Sequence, residues 1–160
     1  METTLFISLL VIFLVVSLLR YSIVMRKRKE AMKAMAMQFS LQRWPDDSLP
    51  RGLSLHGTPL RWWSKLFNVY EGILNHRQIA VLDLRKQAGK SSWSRTIVAV
   101  KTPEDVFAGS SFGLEKRRID GWQLIYSPVG FLVSEKLMEV CEVEEILKAI
   151  GRIDESSVPR

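Results

Sequence analysis

The sequence predicts an α+β protein built on a long N-terminal helix, and three observations carry that prediction. Residues 5–25 form one nearly unbroken apolar run. Beyond residue 68 the apolar residues alternate with a period of two, as strands require. Near the end the spacing returns to that of a helix, with Val140, Val143, Leu147 and Ile150 on one face. Antiparallel hairpins followed by a single helix make the α+β class, with the helix expected to cover one face of the sheet.

The apolar run, LFISLLVIFLVVSLLRYSIVM, contains no Asp or Glu. As a helix rising about 1.5 Å per residue it spans roughly 30 Å, the hydrocarbon thickness of a bilayer. Its one charge, Arg20, sits close enough to the basic end to snorkel outward. Met1-Glu2-Thr3-Thr4 before it lack Lys and Arg, whereas Arg26-Lys27-Arg28-Lys29 and Lys33 follow it. By the positive-inside rule the basic flank stays in the cytoplasm, with residues 1–4 outside. A cleaved secretory signal is the alternative topology. It fits less well, because a signal has a positive n-region and a small-x-small cleavage site. A lipoprotein is not expected, since no Cys lies near the N-terminus.

Composition supports the same placement. Cys141 is the only cysteine, so a disulfide-stapled secreted domain is excluded. The net charge of +6 is unevenly distributed. Residues 1–39 carry six basic and two acidic residues, and residues 40–160 carry seventeen and fifteen. Most of the excess therefore flanks the apolar run, where it sets topology and attracts anionic lipid headgroups. The remainder is nearly balanced, which argues against nucleic acid as a partner.

Taken in order, residues 26–40 form a basic juxtamembrane helix that continues the first one, since KEAMKAMAMQ is rich in helix formers. Met32, Met35, Ala36 and Phe39 make an apolar stripe along it, expected to dock on the protein's own domain. A methionine-rich groove for a partner is the alternative. Residues 41–67 place Pro, Gly and Asp every few positions and read as a loop-rich linker or domain entry. The domain proper then runs over 68–151. Strands are expected at 69–74 and 78–84, joined at Asn75-His76-Arg77, and at 94–100 after a polar loop over 86–95. A weaker strand follows at 113–118, and Asp120-Gly121 turns into another at 122–126. After a short apolar run at 130–133, Ser134 offers an N-cap for the final helix and Gly151 a stop. Residues 152–160 read as a flexible tail.

Motifs that suggest chemistry fail on their context. Gly109-Ser110-Ser111-Phe112-Gly113 matches the nucleophile elbow, yet both histidines, His56 and His76, precede it and no helix follows. Gly89-Lys90-Ser91 resembles the end of a phosphate-binding loop, but Leu84 stands where the first Gly belongs. Two distant histidines and one cysteine give no metal-ligand spacing. Both histidines are expected at exposed turns, and Cys141 at the rim of the final helix's apolar arc. Glu139, Glu142, Glu144 and Glu145 on that helix read as a solvated face. No catalytic, cofactor or metal residues are assigned and no cofactor is expected.

One basic and aromatic segment stands out, Arg61-Trp62-Trp63-Ser64-Lys65-Leu66-Phe67. Basic and aromatic side chains interleaved in this way suit a membrane interface or stacking on single-stranded nucleic acid, but two adjacent tryptophans are more often packing anchors of the core, and that is the leading reading. The residues expected at the membrane surface are Arg20, Arg26, Lys27, Arg28, Lys29, Trp62 and Trp63.

The order of features resembles a family of uncharacterised bacterial membrane-anchored proteins. The likeness runs over most of residues 30–150 and rests on four segments. These are Asn68-Val69-Tyr70-Glu71-Gly72, Val81-Leu82-Asp83-Leu84, Thr96-Ile97-Val98-Ala99 and the Trp-bearing strand from Trp122 to Tyr126. The 86–95 loop and the doubled tryptophan depart from it. The resemblance implies a bacterial membrane protein with no assigned activity and supplies no catalytic residues.

The expected function is therefore a single-pass protein of the bacterial plasma (inner) membrane, with a non-catalytic cytoplasmic module. Its expected partners are the bilayer, anionic headgroups, and an unidentified membrane or cytoplasmic protein. One alternative is a membrane-tethered enzyme using Asp83, His76 and Glu71, which lie around one hairpin. Another is a small lipid-binding domain, by analogy with pleckstrin-like folds.

Overall fold

No Gly or Pro interrupts the chain from the apolar run through the basic cluster, so the first element continues without a break. The computed structural model describes residues 2–45, 48–63, 65–88, 91–103, 105–107, 114–127 and 137–152. In it, helix α1 runs Glu2–Gln38, 37 residues and roughly 55 Å long. Residues 6–24 face outward all round, and none of that stretch is buried within the protein. It is long and apolar enough to cross a membrane. The second half behaves differently: Met32, Met35 and Ala36 are buried in the domain core, as the docking stripe requires.

The end of α1 is closed by a Schellman motif. Ser40 takes a left-handed φ of 56°, its N–H donates to Met37 O, and Leu41 N–H reaches back to Ala36 O at 2.7 Å. Leu41 then packs against Gly72, where a Cβ would meet Leu41 Cδ2 at 2.8 Å and Leu41 Cα at 3.2 Å. Only a glycine lets the chain leave the helix so close to the sheet.

The sheet has six antiparallel strands: β1 (Gln42–Arg43), β2 (Lys65–Leu74), β3 (Arg77–Ala88), β4 (Ser91–Lys101), β5 (Glu115–Ile119) and β6 (Trp122–Tyr126). Their order is β1-β2-β3-β4-β6-β5. The turns are those the sequence signalled. Asn75 and His76 have φ of 47° and 61°, and Asp120 and Gly121 of 50° and 80°, both two-residue turns with positive φ throughout. Helix α2 (Val140–Arg152) follows, burying Val143, Ile146, Leu147 and Ile150. Asn75 Nδ2 donates to Gly151 O and fastens the β2–β3 turn to the end of that helix.

Three expectations change. Residues 86–95 are not a loop, because β3 and β4 continue as a hairpin pairing Lys86 with Trp93 and Ala88 with Ser91. Backbone ladders form without side-chain alternation, so a polar hairpin end leaves no periodic signal. The final helix begins at Val140, where the Glu142 carboxylate accepts the Glu139 N–H at 2.8 Å as half of a capping box. Gly151 lies inside its last turn rather than beyond it. Arg152, expected to open the tail, is the last residue of that helix; the apolar run at 130–133, Ser134 and residues 153–160 lie outside the described residues.

Both faces of the central strands are covered. The register groups Asp83, Val81 and Ile79 with Thr96, Val98 and Val100 on one face, and Leu82 and Ala80 with Ile97 and Ala99 on the other. All ten are fully buried. Both α1 and Met138, just before α2, hydrogen-bond to the first face. The 41–63 segment approaches the second face, where Gly52 lies against the Trp122 indole. Irregular though it is, that segment gives Leu41, Leu53, Leu55 and Leu60 to the core. Thr58 caps its 3-10 turn, Pro59–Trp62, accepting from Leu60 N and donating to Leu55 O.

Candidate functional site

Strand alternation aims the Asp83 carboxylate at the helix-covered face, where the residue is fully buried. An isolated carboxylate there would lose several kcal/mol of hydration, so its partners decide whether the fold survives. Arg28 from α1 supplies a two-pronged contact, Nε to Oδ2 and Nη2 to Oδ1, both at 2.8 Å. The Thr96 hydroxyl donates to Oδ1 at 2.7 Å, and Asn68 Nδ2 donates to Oδ2 at 2.9 Å. Arg28 Nη1 continues to the Met138 carbonyl at 2.8 Å, and Met138 N–H returns to Thr96 Oγ1 at 3.2 Å. One buried carboxylate thus binds α1, β2, β3, β4 and the entry to α2 together.

Local backbone geometry places each member. Asn68 sits at an irregularity in β2 between Phe67 and Tyr70, with a left-handed φ of 51°. Asn tolerates that conformation better than most residues, and the bulge turns its side chain onto Asp83. Arg28 lies one turn before Met32 on the docked stripe, so the helix face that buries methionines also delivers the guanidinium. Burial raises the Tyr70 hydroxyl's pKa; Arg43 pulls it back, and the Asp83 charge raises it further.

Of the residues expected at the membrane surface, Arg20, Arg26, Lys27 and Lys29 are exposed. Arg26 makes only a surface pair with Glu30. Arg28 departs from the expectation: its guanidinium is committed to Asp83 and Met138 and is not presented to headgroups. Trp63 is half-buried against the core, and the Trp62 side chain lies outside the described residues. Glu71 and His76 line one open cavity of about 730 Å³, but Asp83 is not among its walls, so the three do not converge. Among the described residues no group of three or more His, Cys, Asp or Glu could hold a metal. His56 is exposed; Cys141 is exposed too, rather than tucked into the core. Residues 89–90 and 108–113, which hold most of the two loop motifs, lie outside the described residues.

Hydropathy hid Asn68, Thr96 and the true role of Arg28. A signal did exist: carrying the stripe of Met32, Met35 and Ala36 back one turn lands on Arg28, and a buried Asp demands a cation.

Set against known protein families, curated proteins and solved structures, the chain matches none. The family resemblance and the pleckstrin-like analogy therefore gain no support from that side.

Proposed function

We propose that this protein is a non-catalytic, single-pass module that holds a cytoplasmic α+β domain in a fixed orientation against the surface of a bacterial plasma membrane. The observation that carries it is the buried clamp of Arg28 on Asp83, which makes the apolar helix and the domain one body instead of a tethered pair. Topology follows from the basic cluster after residue 25.

Two contacts set the orientation. Arg28 meets Asp83, and about two turns back, roughly 10 Å and inside the end of the apolar run, Tyr21 accepts from Arg85 and lies 5.3 Å beneath its guanidinium. The end of β3 therefore points toward the bilayer. Lys65, which pairs with Arg85, and Trp93, which pairs with Lys86, lie at that end, the mixture of cations and aromatics that suits an interface.

Fractionation tests the proposal. The chain should stay with membranes in high salt and alkaline carbonate and leave them only in detergent. Release by salt alone would overturn it.

A further inference from the structure

A cleft of about 630 Å³ opens between α1 and the start of β2, and its walls carry Arg26, Lys29, Arg43, Lys65 and Arg85, with no Asp or Glu among the described residues that line it. Lys65 and Arg85 stand directly opposite each other across the β2–β3 ladder. Like charges in that position destabilise a sheet unless an anion lies between them. Arg26 pairs with Glu30 on the helix surface, and five cations converging on one cleft still make it a favourable place for an anion.

Position names the source of that charge. Tyr21 and Met25, also in the walls, are in the last turns of the apolar run, and Arg26 begins the basic cluster. With α1 across a bilayer, the cleft mouth stands at the depth of the phosphates. Phe67 and Met25 give it an apolar side, as the glycerol and first acyl carbons of a lipid require. Its width is fixed in advance: Asn68 lines the cleft while holding Asp83, and Arg85 is braced by Tyr21 and by Ser94 at 3.2 Å.

We propose that this cleft binds the phosphate of an anionic phospholipid headgroup, drawn from the bilayer that α1 spans. The site rests on the membrane reading above and adds to it a specific ligand.

The test uses the full chain in micelles containing equal phosphatidylglycerol and phosphatidylcholine, with retained lipid read by native mass spectrometry. Wild type should retain phosphatidylglycerol preferentially. Lys29→Gln with Lys65→Gln, both at exposed positions, should lower the anionic-to-neutral ratio about tenfold or more. Lys27→Gln with Lys33→Gln removes the same charge from exposed positions that bracket Lys29 along α1 and lie outside the cleft walls, and should lower the ratio markedly less than the cleft pair does. Excess inorganic phosphate should leave the retained lipid in place. The site is overturned if wild type shows no preference, if both double variants lose it equally, or if phosphate strips the lipid, which would mark a soluble ligand. A chain that survives salt and carbonate washing but shows no lipid preference refutes the cleft alone. Release by salt refutes the membrane reading beneath it.

Discussion

The two halves of α1 are continuous in backbone and opposite in environment. Residues 6–24 are exposed, with Tyr21 meeting Arg85, whereas Arg28, Met32, Met35 and Ala36 are packed into the domain. Apolarity does not separate them, because both halves bury or offer apolar side chains. What separates them is angular distribution. The first half is apolar all round, as a lipid-facing helix must be, and the second is apolar on one stripe, as a helix docked on a protein must be. The comparison also reinterprets the basic cluster. Lys27 and Lys29 are solvated, while Arg28 between them is the domain's central ion-pair partner.

The sharpest way to break the docked half is Arg28→Ala, which strips a fully buried carboxylate of its counter-charge. The expected loss is about 3–5 kcal/mol in equilibrium unfolding of the detergent-solubilised chain, against less than about 0.5 kcal/mol for Lys27→Ala. Replacing both partners, Arg28→Met with Asp83→Leu, should recover much of that loss, since the damage comes from the orphaned charge. Met35→Ala should cost about 2–5 kcal/mol through lost burial and a cavity, whereas Leu14→Ala in the outward-facing half should leave domain unfolding unchanged. Gly72→Ala should cost about 1–3 kcal/mol, because its methyl would displace the backbone of Ser40 and Leu41 where the helix meets β2. The smallest effect runs the other way: Ser40→Gly should stabilise by about 0.5–1 kcal/mol by relieving a left-handed non-glycine residue.

Much of the architecture was legible because it is written in periodicity. The unbroken helix to Gln38, the turns at Asn75-His76 and Asp120-Gly121, and the amphipathic α2 all follow from local pattern. The β3–β4 hairpin end was not legible, since Lys86, Gln87, Ser91 and Ser92 carry no apolar alternation to mark the ladder that they join. Nor was the clamp, because Arg28, Asn68, Asp83 and Thr96 are scattered along the chain and meet only through tertiary packing. Only Arg28 left a spacing in the sequence, one turn before Met32; its three partners follow from the fold.

The central claim, that anchor and domain are one body held by the clamp, is tested most directly by a distance. Spin labels at Ser22→Cys and His76→Cys, in full-length Cys141→Ser protein in nanodiscs, would be measured by pulsed electron resonance. A narrow distribution that broadens in Arg28→Ala is the expected result. A broad distribution already present in the Arg28 protein, or one indifferent to the substitution, would contradict the account.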